Sequence, residues 1–118
     1  MIQSYRDLEV YQRAYKLALK VHQITLNFPK YETTELASQL RRAALSIPIN
    51  IGEGYGRKSS TADFKRFLIM ALGSCDEVRI EIDFAKDLGY IDEATYEELT
   101  SEYVILGKQI RVLHEKWE

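Results

Sequence analysis

The sequence is poor in cysteine and proline, with only Cys75 and two prolines among its 118 residues. A single cysteine excludes a disulfide within the chain. The start, MIQSYRDLEV, lacks the basic and then apolar pattern of a signal peptide, so we expect a cytoplasmic protein. No run of about 18 apolar residues occurs, which argues against a membrane-spanning helix. The length suits one domain, so we expect residues 1–118 to form a single unit.

The residue patterns of common catalytic and cofactor sites are also missing. In GEGYGRKSS, residues 52–60, Arg57 stands where a Walker loop needs lysine and a dinucleotide-binding loop needs glycine. A di-iron bundle needs a glutamate three residues before a histidine. Leu19 precedes His22 at that spacing, and Arg111 precedes His114. We therefore expect no cofactor, no metal and no enzymatic activity, and we interpret the segment as a glycine-rich turn between helices.

Charge is unevenly distributed around a net value of −2. Residues 38–66 contain six cations and two acids, whereas residues 92–118 contain seven acids and three cations. Such asymmetry is typical of a basic site on a mildly acidic body, and it also fits pairing between the two segments. The net charge argues against strong nucleic-acid binding. The candidate nucleic-acid-binding residues are the six cations of the basic segment: Arg41, Arg42, Arg57, Lys58, Lys65 and Arg66.

Apolar residues recur at helical spacing in four segments. The first is predicted from about residue 5, behind a capping box of Ser4 and Asp7, to about residue 27, just before the first proline. The second runs from about residue 33 to residues 54–56. The third is capped by Ser60 and ends near Gly89, and Asp92 caps the fourth.

Each segment carries an apolar stripe that must be buried. In the third segment, for example, the stripe is Phe64, Leu68, Ala71, Cys75, Val78, Ile82 and Ala85. Its cysteine is therefore interpreted as a small core hydrophobe. The short connections favour antiparallel neighbours. We expect an all-α fold, an antiparallel up-down-up-down four-helix bundle, with the second helix kinked at Pro48.

The second helix has two apolar faces separated by a polar strip. One face carries the core stripe, and a helix that is apolar on a second side usually contacts more than its own core. We expect that side to contact another subunit. The predicted oligomer interface is Leu45, Pro48, Ile49 and Gly52.

The polar strip of this helix contains Arg42, Ser46, Asn50, Glu53 and Arg57. In one interpretation the charged residues form a buried network, and the serine and asparagine satisfy backbone groups freed by the kink. In the other, the arginines bind phosphate and the glutamate orients them. Both interpretations remain open at this point.

Three stretches resemble the 23S rRNA intervening-sequence protein family: SQLRRAALSIPINIGEGYGR, FKRFLIMALGSCDEV and KDLGYI. The resemblance implies an antiparallel four-helix bundle that assembles as a ring-like homopentamer, and a bacterial source. It adds Ser74 and Glu77 of the third helix to the candidate site, and Glu77 to the polar network. The accessory protein of diversity-generating retroelements is similar in fold and works with a reverse transcriptase and nucleic acid, an analogy of fold alone.

Two functions fit these observations. The first is a non-enzymatic, homo-oligomeric accessory protein, pentameric by resemblance, whose partner is RNA or a nucleic-acid-processing protein. The alternative is a protein–protein interaction scaffold that binds no nucleic acid, which the acidic net charge and the two-faced second helix favour.

Overall fold

The computed structural model describes all 118 residues and consists of four α-helices. They are α1 (Glu9–Thr25), α2 (Leu36–Gly56), α3 (Thr61–Asp87) and α4 (Glu93–Lys116). Two 3-10 turns, Tyr5–Asp7 and Lys30–Glu32, precede α1 and α2, and there are no strands. The molecule measures 44 × 24 × 21 Å. The predicted all-α, four-helix class is confirmed. None of the four helices has the length and apolar character of a membrane-spanning segment.

Local capping fixes the ends of α3 and α4 as predicted. The Ser60 hydroxyl accepts a hydrogen bond from the Asp63 N–H at 3.2 Å, and the Asp92 carboxylate accepts one from the Thr95 N–H at 2.7 Å. Gly89 follows α3 with a φ of 80°, a conformation that side chains with a Cβ rarely adopt. These signals lie within a few residues of each helix end, so the sequence alone reveals them.

The predicted starts of the first two helices are too early. Ser4 and Asp7 do form a capping box, but it closes a 3-10 turn, and the extended backbone of Leu8 delays α1 to Glu9. Before α2, the chain forms a second 3-10 turn after Pro29. The Glu32 carboxylate then accepts a hydrogen bond from the Leu36 N–H at 3.1 Å, so it pairs the first N–H of α2, which has no partner within the helix.

All four helices contribute to one buried core. The α3 stripe is buried along its whole length, and Cys75 within it is confirmed as a core residue. The α2 core consists of Leu40, Ala43, Ala44, Ile47 and Ile51. Helices adjacent in sequence pack against each other, and α1 also contacts α4. The proposal that residues 1–118 form one domain stays a prediction.

Aromatic contacts identify which connections share an end of the bundle. Tyr90, after α3, packs on Phe28 at 5.1 Å and donates a hydrogen bond from its hydroxyl to Glu32 at 2.7 Å. At the other end, Phe64 packs edge-on against Trp117 at 4.7 Å and against Tyr55 at 6.1 Å. This arrangement is consistent with the up-down-up-down order.

Pro48 lies inside α2, which continues as α-helix through it to Gly56. Proline has no N–H, so one i to i−4 hydrogen bond is missing at this point. The kink expected from that loss stays a prediction.

Candidate functional site

A groove between α1 and α2 contains the predicted oligomer interface. This tyrosine groove has a volume of about 420 Å³ and is lined by Tyr5, Tyr11, Tyr15, Leu45, Pro48, Ile49, Gly52 and Glu53. Leu45 is 54% exposed and Ile49 is 46% exposed, so both present apolar surface to solvent. The other two predicted interface residues differ. Pro48 is buried within the chain, and Gly52 is half-buried.

The tyrosines explain why Gly52 is covered. A Cβ at this position would lie 3.5 Å from the Tyr5 ring and 3.9 Å from Tyr11. The two rings pack edge-on with centroids 4.8 Å apart. The residue pattern of α2 alone could not reveal that tyrosines from the N-terminal turn and α1 cover Gly52. The available signal was the spacing of Tyr11 and Tyr15, which lie one helical turn apart on α1.

The uncharged members of the predicted polar network come together between α2 and α3. Ser46 hydrogen-bonds the Ser74 hydroxyl across the two helices and also donates to the Ala43 carbonyl at 3.0 Å. The Asn50 amide donates to the Ser46 carbonyl at 2.9 Å. Only the bond between Ser46 and Ser74 joins the two helices, since the other two lie within α2. Neither of the two carbonyls is the Ala44 carbonyl that Pro48 leaves unpaired.

The charged members do not join this network within one chain. Arg42, Glu53 and Glu77 are exposed, as is Arg57, and none of them forms an ion pair. Wheel positions place Arg42, Glu53 and Arg57 on one side of α2, and that side faces solvent, so the three side chains stay hydrated. An exposed charge needs no buried partner, which removes the physical reason for the network.

Three of the six candidate nucleic-acid-binding residues cluster where α2 turns into α3. This cationic turn consists of Arg57, Lys58 and Arg66, all exposed. The Arg57 and Arg66 guanidinium groups lie 5.2 and 4.7 Å from the Phe67 ring centre, and the Lys58 ammonium lies 4.3 Å from that of Tyr55. The rings favour these positions through cation–π attraction. Arg66 also lies 3.8 Å from the Asp63 carboxylate, whereas Arg57 and Lys58 have no acidic partner and stay open to a ligand.

The other three candidates lie apart from the cationic turn or differ in exposure. Arg41 donates to the Thr25 hydroxyl at 3.1 Å and to the Thr33 carbonyl at 3.3 Å, so it ties α2 to the connection from α1. Arg42 is exposed but lies 15 residues before Arg57, or about 22 Å along the helix. Lys65 is half-buried on α3.

A second groove, which the sequence did not indicate, lies between the start of α2 and the second half of α3. This acidic groove has a volume of about 570 Å³. No lysine or arginine lines it. Its acids are Glu32, Glu35, Asp76, Glu77 and Glu81, and its large apolar residues are Leu36, Ile80, Phe84 and Leu88.

Glu81 is the unusual member of the acidic groove. It is only 7% exposed, and its Oε1 atom has no hydrogen-bond partner. Burial, followed by repulsion from the Glu77 carboxylate, raises the pKa of Glu81 to about 7. A buried carboxylate with an unsatisfied oxygen is costly unless a donor reaches it.

The outer side of α3 carries a second row of apolar residues, exposed to solvent. This α3 ridge consists of Ile69, Met70, Ile80, Phe84 and Leu88. Phe84 is 60% exposed, and three of the residues, Ile80, Phe84 and Leu88, also line the acidic groove. The sequence contains the signal, because residues 70, 80, 84 and 88 follow helical spacing, but the stronger core stripe of the same helix obscured it.

The remaining reactive groups lie in the core. Burial raises the pKa of the Cys75 thiol to about 12, so it stays protonated and inert as a nucleophile at neutral pH. Burial also raises the pKa of Tyr103, whose hydroxyl has no hydrogen-bond partner. No group of histidine, cysteine and acidic side chains is arranged to hold a metal ion.

Comparisons with known proteins agree with this architecture. The family model described as 23S rRNA-intervening sequence protein matches residues 6–112. The fold is similar to the crystal structure of a protein with unknown function from the S23 ribosomal protein family of Bacteroides thetaiotaomicron. That match has a TM-score of 0.83 and 20% sequence identity, and it covers 91% of this chain and 96% of the other. No curated protein matches the chain.

Proposed function

The chain belongs to the 23S rRNA-intervening sequence protein family, and we propose that it is a non-enzymatic, homo-oligomeric accessory protein that contacts RNA. The observation that carries the proposal is the presence of both a cationic turn and an unpartnered apolar surface on one chain. Arg57 and Lys58 have no acidic partner, and the tyrosine groove leaves Leu45 and Ile49 in water. The first feature supports anion binding, and the second supports self-assembly.

Self-assembly is proposed to bury the exposed residues of the tyrosine groove. Each apolar side chain removed from water contributes up to about 2 kcal/mol, so burying Leu45, Ile49 and Tyr15 together favours association. The family resemblance implies a pentameric ring, and binding of one surface to a different surface of the next copy gives a ring when the rotation between copies closes.

Light scattering after size-exclusion chromatography tests the assembly. The unmodified chain is expected at about five times its 13.7 kDa mass. Ile49→Asp places a charge in the interface, so it should lower the mass toward that of one chain without loss of helicity by circular dichroism. Ile105→Asp makes the same change at an exposed site on α4 and serves as the control. An unmodified chain that is monomeric at micromolar concentration contradicts the proposal.

RNA contact is proposed to occur at the cationic turn. Arginine and lysine bind phosphate oxygens through charge-assisted hydrogen bonds, and each phosphate neutralised releases condensed counterions. One turn supplies few contacts, but a ring repeats it in every subunit. Linked weak contacts reach a much higher combined affinity when the geometry lets them bind together.

Fluorescence anisotropy with a structured RNA across a salt series tests the contact. Arg57→Ala and Lys58→Ala should each weaken binding and reduce the salt slope by about one unit. Arg79→Ala is the matched control, because it removes an exposed arginine from α3, 13 residues or about 20 Å beyond Arg66. Unchanged affinity in Arg57→Ala refutes the assignment of the site, and no binding at low salt refutes RNA contact altogether.

A protein-interaction scaffold is the second candidate. The net charge of −2 and the acidic groove favour a basic or apolar protein surface over a polyanion. The same experiment separates the two candidates. An assembled protein that fails to bind RNA at low salt supports the scaffold, whereas salt-dependent binding lost in Arg57→Ala supports the RNA-contacting function.

A further inference from the structure

We propose that the α3 ridge of one copy packs into the tyrosine groove of the next copy, head to tail, while cations beside that groove reach the acidic groove. The inference rests on the proposed homo-oligomer and specifies which two surfaces it joins. The occupant of both surfaces is therefore a second copy of this chain.

Shape and position favour this pairing. The tyrosine groove is concave and lies between α1 and α2, whereas the α3 ridge projects from the outer side of α3. Pairing the groove with itself would enclose an unfilled space. Pairing the ridge with the groove fills it with side chains such as Ile80 and Phe84, which restores the close packing that apolar surfaces require.

Charge gives the second argument. Five acids and no cation line the acidic groove beside the ridge, so a ridge-to-ridge contact would bring two such grooves together. Like charges in contact across an interface are strongly unfavourable. Glu53, by contrast, is the only acid that lines the tyrosine groove. Arg6 and Lys16 line an adjoining pocket that shares Tyr11 and Tyr15 with the groove, and Arg42 lies about one helical turn before Leu45 on α2. All three cations are exposed and form no ion pair. The two surfaces are thus complementary in charge.

Glu81 provides an independent indication that the acidic groove receives a partner. Its side chain is more than nine-tenths buried and lines the groove, yet Oε1 lacks a donor. Leaving such an atom unsatisfied costs about 1–3 kcal/mol. Oε1 has almost no accessible surface in the single chain, so assembly would have to turn the Glu81 carboxylate toward the groove, where a guanidinium or ammonium group from the neighbouring copy would supply the missing hydrogen bond.

The arrangement has a consequence for symmetry. Two different surfaces meet at each contact, so every copy retains one free surface of each kind until the assembly closes. A ring satisfies this with one groove contact and one ridge contact per copy, and a two-fold dimer satisfies it only if the groove of each copy receives the ridge of the other at the same time. The inference therefore agrees with the ring proposed above and differs from any back-to-back dimer.

Mixing two variants tests the inference. Ile49→Asp disables the tyrosine groove and keeps the ridge, whereas Phe84→Asp disables the ridge and keeps the groove. Both sites are well exposed in the single chain, at 46% and 60%, so both variants are expected to fold. Each alone should be monomeric, and an equimolar mixture should give a one-to-one dimer of about twice 13.7 kDa by light scattering.

The outcomes separate the two proposals. An oligomeric unmodified chain whose two variants form no mixed dimer overturns the head-to-tail pairing and leaves the homo-oligomer intact. An Ile49→Asp protein that stays dimeric by itself also overturns it, since that result requires a self-complementary contact. A monomeric unmodified chain overturns both.

Glu81→Gln supplies a second measurement. The change keeps the shape but removes the charge, so the assembly should dissociate about tenfold more readily, the effect of losing one charged hydrogen bond. Glu97→Gln, at an exposed position on α4, is the matched control. Equal dissociation constants for the two variants contradict the role of Glu81.

Discussion

Gly54 lies at a close approach between α2 and α3, and replacing it with alanine should destabilise the protein. A Cβ at this position would lie 2.7 Å from the Phe67 Cβ and 3.0 Å from the Phe64 Cδ1. The Phe67 Cβ is fixed to the α3 backbone, so relief requires a shift between the helices. Phe64 cannot swing away, because Trp117 packs on its ring at 4.7 Å.

The expected size follows from two opposing terms. Overpacking a dense core costs about 1–3 kcal/mol, and the close contact with an atom attached to the backbone favours the upper end of that range. Replacing glycine by alanine inside a helix gains about 1 kcal/mol. Gly54→Ala should therefore lower the free energy of unfolding by about 2 kcal/mol net. For a chain of 118 residues that corresponds to a fall in Tm of about 8 °C.

Gly107→Ala is the control for the gain in helix propensity when alanine replaces glycine. Gly107 lies within α4, and a Cβ there would meet nothing within 4 Å. This variant should raise Tm by about 4 °C, since only the gain in helix propensity applies. Calorimetry at one fixed protomer concentration measures both, because assembly makes Tm concentration-dependent. If Gly54→Ala melts at or above the unmodified protein, the close approach of the two helices is not as described.

Tyr103→Phe should raise the free energy of unfolding, measured by urea titration, by about 1 kcal/mol, because it removes a buried hydroxyl without a partner. A loss of stability would show that the hydroxyl has a hydrogen-bond partner. In the monomeric Ile49→Asp background, the free energy of unfolding should fall as the pH rises from 4.5 to about 7. The reason is that Glu81 binds its proton more tightly in the folded chain than in the unfolded one. Adding Glu81→Gln should flatten the dependence of the unfolding free energy on pH in that range, as measured by urea titrations. An unchanged slope would contradict the assignment of this pH dependence to Glu81. Pro48→Ala should restore a helical hydrogen bond yet lower the assembled mass in light scattering, because Pro48 lies beneath the tyrosine groove. If the Pro48→Ala variant is more stable and still assembles normally, the proline has no role in assembly.

Most of the fold could be predicted from the sequence because its signals are local. Ser60, Asp92 and Gly89 act on backbone groups within a few residues, so their roles do not depend on the rest of the chain. The α3 core stripe is equally readable, since burying one face of a long helix leaves a periodic pattern. The misplaced start of α2 shows the limit, because its cap comes from Glu32 in a separate 3-10 turn.

The candidate site was less predictable because its parts come from different helices. Arg41 counted as one of six similar cations, yet its hydrogen bonds to Thr25 and Thr33 make it a structural residue. Nothing in the sequence distinguishes Glu81 from the acidic residues on the surface. Only its burial, with no donor for Oε1, distinguishes it from the others.

The sequence by itself determined the all-α class, four amphipathic helices, most of their ends and a cysteine in the core, because each follows from spacing along one segment. The tertiary structure decided which charged residues cluster at the cationic turn and that the charged residues of the polar strip face water. It also decided that a tyrosine groove and an acidic groove exist. The physical reason is that these features depend on how each helix rotates about its axis and on its register against its neighbours. Packing of the whole core sets both quantities, and no pattern within a single helix contains them.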